Sequence, residues 1–282
     1  MPIQRSDDHA YRAANGERLH MRESVVALVD VLGFSDRIRD AAHSGVTSEL
    51  LNQLAEFLHP WHEVLDESAS IGDSRNWELK FFTDNLVVAH PITTGGEYEL
   101  DSLIDSLSLF QISAATEGFF LRGGIAVGEF YMDETIAFGL PLLEAHHAES
   151  SIANFPRIIL AESARQALFT RVRPRQFEQE APFWHALLED EDGQIFINYL
   201  DASYQGHFDP PDISAIQQHA AAIQNNLVHF NGVARIQPKY EWAARYHNYW
   251  CELWDMPEYL ITSVGLLKPK RLDELAEAQH EF

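Results

Sequence analysis

The chain has one cysteine, Cys251, in 282 residues. No intramolecular disulfide can form, and the usage fits a reducing cytoplasm. Positive charge is scarce: 20 Lys and Arg stand against 43 Asp and Glu, for a formal net charge of −23. Such a surface repels polyphosphates, so nucleic-acid binding is not expected. A small anionic substrate is still allowed, but it needs local positive charge from metal ions or a few placed basic residues. Long hydrophobic runs are also missing. No segment reaches the roughly 18 uninterrupted apolar residues that span a bilayer. The polar opening "MPIQRSDDHAYRAANGERLH" has no apolar signal region either. The expectation is a cytoplasmic protein with no membrane association. The chain has no GxxxxGK[ST] phosphate loop, no GxSxG elbow and no zinc-type cysteine set.

What is present is enough apolar residue, 46%, to build a real core. The length suits one large domain, or a core with an elaborated second part. The stretch "SVVALVDVLGF" (24–34) is almost wholly apolar but holds one carboxylate, Asp30. An unpaired buried charge is costly, so Asp30 must be paired, metal-bound or aimed at a site from a strand end. Residues 24–31 read as a buried strand, because the run is short, continuous and β-branched. Gly33 breaks it, and Ser35 is placed to cap a helix over 36–42.

Helical spacing recurs over 47–68, where Pro60 should kink or divide the helix. It recurs again over 99–118, with Gly118 as the C-terminal cap. "WELKFFTDNLVVAH" (77–90) reads as a hairpin turning at Thr83-Asp84-Asn85. Residues 119–132 are strand-like and glycine-rich, 140–153 helical, 157–161 and 193–200 strands, and 212–230 and 235–253 helices. Strands alternate with helices but include hairpins, which points to α/β architecture with a mixed sheet and packed helices. The divisions expected are an N-terminal arm (1–22), a core (23–178) and a C-terminal helical extension packed on it (179–282).

If the strand carrying Asp30 neighbours the hairpin carrying Asp84, the two carboxylates converge on one sheet edge. Carboxylates held close repel unless a divalent cation lies between them. Mg²⁺ is commonly held by one or two carboxylates, with waters and substrate phosphates completing the octahedron. A structural reading stands beside this one. Asp84 can serve the turn, Asp30 can accept backbone hydrogen bonds, Arg122 can make a surface ion pair, and Lys80 can face solvent on an edge strand.

"DVLGF" (30–34) resembles the Asp-x-x-Gly-Phe motif of class III nucleotide cyclases. "KFFTD" (80–84) resembles their Lys-x-x-Gly-Asp motif, with Thr83 in place of glycine. "LRGGIAVGE" (121–129) is similar to the strand and turn after the long helix of that fold, and "FGLPLLEAHHAE" (138–149) stands where the last catalytic helix does. More narrowly, "RGGIAVGEFY", "NFPRIILA" and "KYEWAARYHN" (239–248) resemble the pyrimidine cyclases of bacterial Pycsar anti-phage defence. The resemblance covers most of residues 24–250.

It implies a ferredoxin-like sheet. Asp30, Asp84 and the Val31 carbonyl would be ligands of two Mg²⁺ or Mn²⁺ ions per site. Gly33 and Phe34 would offer amides to a triphosphate, Arg122 would reach phosphate, and Lys80 would read the base. It further implies UTP or CTP as substrate and a homodimer with composite active sites. The cyclic product would activate a separately encoded effector.

The departures are specific. The Asn and Arg of the last helix fall on Leu143 and His147, and a missing transition-state arginine costs several kcal/mol of barrier lowering. His147, His146 or Glu144 can contribute instead. Adjacent helix residues point about 100° apart, so His146 and His147 are poor joint ligands, and one of them is expected half-buried. Glu129 reads as an exposed hairpin carboxylate. The purine-selecting position falls on Ile136, which cannot hydrogen-bond a base. A purine cyclase, a non-catalytic nucleotide-binding module and a polymerase-palm relative stay open as alternatives.

Overall fold

A computed structural model describes residues 10–11, 19–68, 70–71, 74–75, 77–82, 84–171, 183–203 and 211–272. Most of the expected N-terminal arm lies outside these residues. In chain order the elements begin with β1 (Arg22–Val31), α1 (Phe34–Ser44), α2 (Thr47–Ser68), β2 (Ser70–Ile71), β3 (Ser74–Arg75), β4 (Glu78–Phe82), β5 (Asn85–Pro91) and α3 (Glu97–Thr116). They continue with β6 (Leu121–Met132), β7 (Ala137–Gly139), α4 (Leu140–His147), β8 (Ile158–Leu160) and α5 (Glu162–Arg171). The last are β9 (Leu187–Glu189), β10 (Ile195–Ile197), α6 (Ile213–His229), α7 (Gln237–Leu253) and β11 (Lys270–Arg271).

The fold is mixed α/β. One nine-stranded sheet runs β11-β9-β10-β8-β6-β1-β5-β4, with β7 added to β6. Its only parallel pair among the described residues is β6 with β8. β1 lies between β5 and β6, antiparallel to both. Residues 25–29 of β1 are all at least 91% buried, as expected of a strand covered on both faces. The chain makes β1, crosses through α1 and α2, returns as the β4–β5 hairpin, and crosses again through α3 to β6. That is a β-α-β-β-α-β path.

Several local features differ from expectation. The cap of α1 is Gly33, in the left-handed conformation at φ 72, and not Ser35. A β-carbon is disfavoured there, so glycine is what lets the chain leave β1 and start a helix at once. The helix over Thr47–Ser68 passes Pro60 undivided. Gly118 ends α3 as expected: its amide bonds the Ala115 carbonyl (3.0 Å) and the Phe119 amide bonds Ala114 (2.8 Å), the paired bonds of a Schellman motif.

Gly123 and Gly124 do not turn. They sit inside the twelve-residue strand β6, and a β-carbon on Gly124 would come within 2.5 Å of the Ala145 carbonyl oxygen. The bare backbone there lets α4 lie directly on the strand. The expected helix over 140–153 becomes α4 followed by a π turn, Ala148–Ile152. The C-terminal extension is helical in α6 and α7, but it also contributes β9, β10 and β11 to the main sheet.

Two buried polar clusters tie that extension down. Arg157, fully buried, pairs with Asp190 and Asp192. The rings of Phe155, Trp242 and Phe196 lie 5.3, 5.7 and 5.8 Å from its guanidinium. The second cluster has a hydrogen-bond order fixed by its ends. His247 Nε2 must donate to the Tyr259 carbonyl (3.0 Å), so its Nδ1 accepts from His219 Nδ1 (3.0 Å). His219 Nε2 then accepts from the Tyr199 hydroxyl (2.9 Å). Cys251 Sγ lies 3.4 Å from His247 Nε2.

Burial holds both imidazoles below their usual range, and a second proton on His247 would set two N–H groups face to face. A depressed folded-state value means that the unfolded chain binds more protons, so stability is lost as pH falls below about 6.5. The stability difference between the native chain and a His219→Gln variant, read from denaturant midpoints, should therefore shrink on going from about pH 7.5 to about pH 5.5. A pH-independent difference would contradict the neutral network.

Candidate active site

Strand register assembles the site. Asp30 is the penultimate residue of β1, opposite Asn85 on β5 and Arg122 on β6, while Asn85 is opposite Phe82 on β4. Residues directly opposed in antiparallel strands share a face, so Phe82, Asn85, Asp30 and Arg122 form one row across four strands. Asp84, at the hairpin turn next to Asn85, brings its carboxyl within hydrogen-bonding reach of Asp30. Asn85 Nδ2 also donates to Asp84 Oδ1 at 3.3 Å.

Burial, and then the Asp84 charge, push the Asp30 carboxyl up to about 7, against the pull of Arg122. Near neutral pH the Asp30 carboxyl therefore still binds a proton for part of the time.

Arg122 is held between acids. Its Nε and Nη2 donate to Asp30 Oδ2 at 3.3 and 3.2 Å, and Nη2 lies 2.7 Å from Glu149 Oε1. Glu149 is buried in the π turn, a helix defect that often marks functional positions. Between Asp30 and Gly33 the chain is pinned by the Leu32 amide, which donates to the Phe120 carbonyl at 2.7 Å. The Gly33 carbonyl accepts from the Asp36 and Arg37 amides, both at 3.1 Å. Phe34 then opens α1, and the amides of Phe34 and Ser35 precede the first intrahelical bonds at its positive end.

The remaining expected residues fall as follows. Val31 ends β1, opposite Leu121. Lys80 is half-buried on edge strand β4, its Nζ 5.6 Å from the Phe82 ring. Through Val87 and Leu28 it shares the face of Asp30, one row away. Thr83 lies outside the described residues. His147 ends α4 and is exposed, as is His146, so the expectation that one of them is half-buried does not hold. Glu129 is exposed as expected. Ile136, Phe138, Leu140 and Leu143 are all exposed, at 42, 65, 78 and 66%. A cavity of about 860 Å³ lies elsewhere, lined by Asp105, His185, Tyr249 and Trp254 among others, and it holds none of these residues.

Sequence reading missed Glu149 and Lys239, which reaches this neighbourhood from α7. The π turn inserts an extra residue that helical periodicity does not reveal. Lys239 comes from a distant segment and carries no local signal.

Among the described residues, no group of three or more His, Cys, Asp or Glu side chains is arranged to hold a metal ion. A closed structural site is therefore not formed there. A pair of abutting carboxyls, one held protonated near neutrality, does fit a hydrated Mg²⁺ or Mn²⁺ that takes its other oxygens from substrate and water. No helix of the described residues is long and apolar enough to cross a membrane. No protein-family model matches the chain, and no curated protein matches it.

Proposed function

We propose that the protein is a nucleotide cyclase. It converts a pyrimidine nucleoside triphosphate, UTP before CTP, to the 3′,5′-cyclic monophosphate and pyrophosphate. The observation that carries the reading is the convergence of Asp30 and Asp84 beside the Gly33–Phe34 helix start. The strand order β6-β1-β5-β4 also agrees with the ferredoxin-like sheet that resemblance to class III cyclases implies.

In this reading Asp30, Asp84 and the Val31 carbonyl hold the divalent cations. When bound, those cations acidify the ribose 3′-hydroxyl and offset charge on the departing pyrophosphate. The 3′-oxygen forms a bond to the α-phosphorus as the bond from that phosphorus to the β-bridging oxygen breaks, and the hydroxyl proton passes to solvent water. Gly33 and Phe34 receive the phosphates at the positive end of α1. Arg122, already locked between Asp30 and Glu149, fixes the Asp30 rotamer and adds positive charge beside the α-phosphate.

Lys80 shares the sheet face of Asp30, where a base would rest. The exposed Phe138, Leu140 and Leu143 suit a homodimer whose composite sites draw His147 from the second protomer. The cyclic product would act on a separate effector.

The test of the class is incubation with each of the four nucleoside triphosphates and Mn²⁺, with products identified by mass spectrometry. Cyclic UMP or CMP is expected. A purine cyclic product, or none, would sink the pyrimidine reading.

A linked prediction concerns protons. Because the Asp30 carboxyl is raised in the folded state, the native protein keeps a proton that the unfolded chain loses above about pH 4. Without metal, stability then falls as pH rises from about 4 through about 7. A cation displaces that proton and removes the penalty. Mn²⁺ should raise the melting temperature more at about pH 8 than at about pH 6. An equal rise at both would contradict metal binding at this pair.

A further inference from the structure

We infer that Lys239, carried by α7 of the C-terminal extension, is a triphosphate-binding residue of this site. It supplies the positive charge that the end of the core lacks at Leu143 and His147. The inference deepens the cyclase reading and rests on it for the identity of the nucleotide.

Its basis is how the start of α7 docks. Tyr240 is buried, with its ring edge-on to Phe120 at 5.3 Å, and the Phe120 carbonyl pins Leu32 between Asp30 and Gly33. Arg235, just before the helix, pairs with Asp36 in the first turn of α1. Lys239 lies between these two contacts in sequence. It is therefore delivered to the rim where α1 begins and β1 ends.

Its half-buried ammonium feels the acids Asp30 and Glu149, but also the guanidiniums of Arg122 and Arg235. Among the described residues it makes no direct ion pair. Arg122 and Arg235 are already paired with acids, which leaves the partly desolvated Lys239 as the cation that an anion at this rim would neutralise. Lys239 stands near Arg122 and the start of α1, where such an anion would be received. A chain of charge −23 has few other ways to attract a polyanion.

The experiment is calorimetric titration of the full chain with inorganic tripolyphosphate in Mg²⁺, run beside turnover of UTP. Lys239→Ala should weaken tripolyphosphate binding at least about tenfold, raise KM and lower kcat. Lys239→Arg should keep most of the affinity, and Lys239→Gln should match Lys239→Ala if the alanine variant folds poorly. Lys270→Ala, which removes an exposed lysine paired with Glu189 on the far edge of the sheet, should change neither. If the native chain forms cyclic product and the Lys239→Gln variant matches it in tripolyphosphate affinity and KM, the inference is overturned while the cyclase reading survives. If tripolyphosphate binding depends on Lys239 but no cyclic product forms, the inference stands and the cyclase reading fails. A native chain that binds no tripolyphosphate overturns the inference outright.

Discussion

Asp30→Ala should lower cyclic nucleotide formation by roughly a thousandfold, the scale of removing a principal electrostatic element of a transition state. Asp84→Ala should match it, and the double variant should be little worse than either, because groups that act as one unit are not additive. Stability should move the other way. Ionised Asp30 is unfavourable in the folded protein, since burial and Asp84 raise its carboxyl to about 7. Removing it at about pH 8 should leave the melting temperature unchanged or higher. Arg122 keeps Glu149 as a partner in that variant, so no buried cation is stranded. Initial rates and thermal melts of the same preparations read the two effects separately. Activity within about tenfold of native in either single variant would be incompatible with a two-carboxylate metal site. A loss of activity explained wholly by unfolding would be equally incompatible.

The second large effect is structural. Asp190→Ala should destabilise the protein by about 3–5 kcal/mol, because it strips Arg157 of its buried partner. Arg157 is fully buried, and its remaining acid, Asp192, is 46% exposed. The same substitution also removes the acceptor of the Trp242 indole N–H (2.9 Å). Replacing both partners, as Arg157→Met with Asp190→Leu, should recover much of the loss, since a packed apolar pair needs no compensating charge. Denaturant midpoints of the two variants and the native chain measure this directly. A loss below about 1 kcal/mol for Asp190→Ala would show that the pair is not the buried bridge described.

This bridge matters to the site as well as to the fold. The Arg157 carbonyl accepts the Gly123 amide at 3.2 Å, one residue from Arg122. The cluster that fastens the extension therefore also fixes the strand end that presents Arg122.

Much of the site was legible because its signals are local. Asp30 is the single charge in an apolar run, and the hairpin around Asp84 follows from two apolar arms and a turn. Convergence of the two needed only that β1 and the hairpin be neighbours. What escaped depends on packing. The glycines of "RGGI" lie in the stretch read as a strand, which it is, but their purpose did not show. Gly124 clears space for the Ala145 carbonyl and the Ala148 methyl, partners more than twenty residues away. The strands β9 and β11 have three and two residues, too few for alternation to register, whereas β10 falls inside the strand expected over 193–200. Glu149 became visible only once the π turn broke the helical period. Lys239 became visible only once α7 had a docking place.

The most direct measurement is ³¹P NMR of the native chain turning over UTP with Mn²⁺. A nucleotide cyclase gives 3′,5′-cyclic UMP and pyrophosphate in equal amounts, with both signals absent from the Asp84→Ala variant. Release of inorganic phosphate with UDP, or UTP left unchanged by a folded and metal-loaded protein, would contradict the proposed reaction.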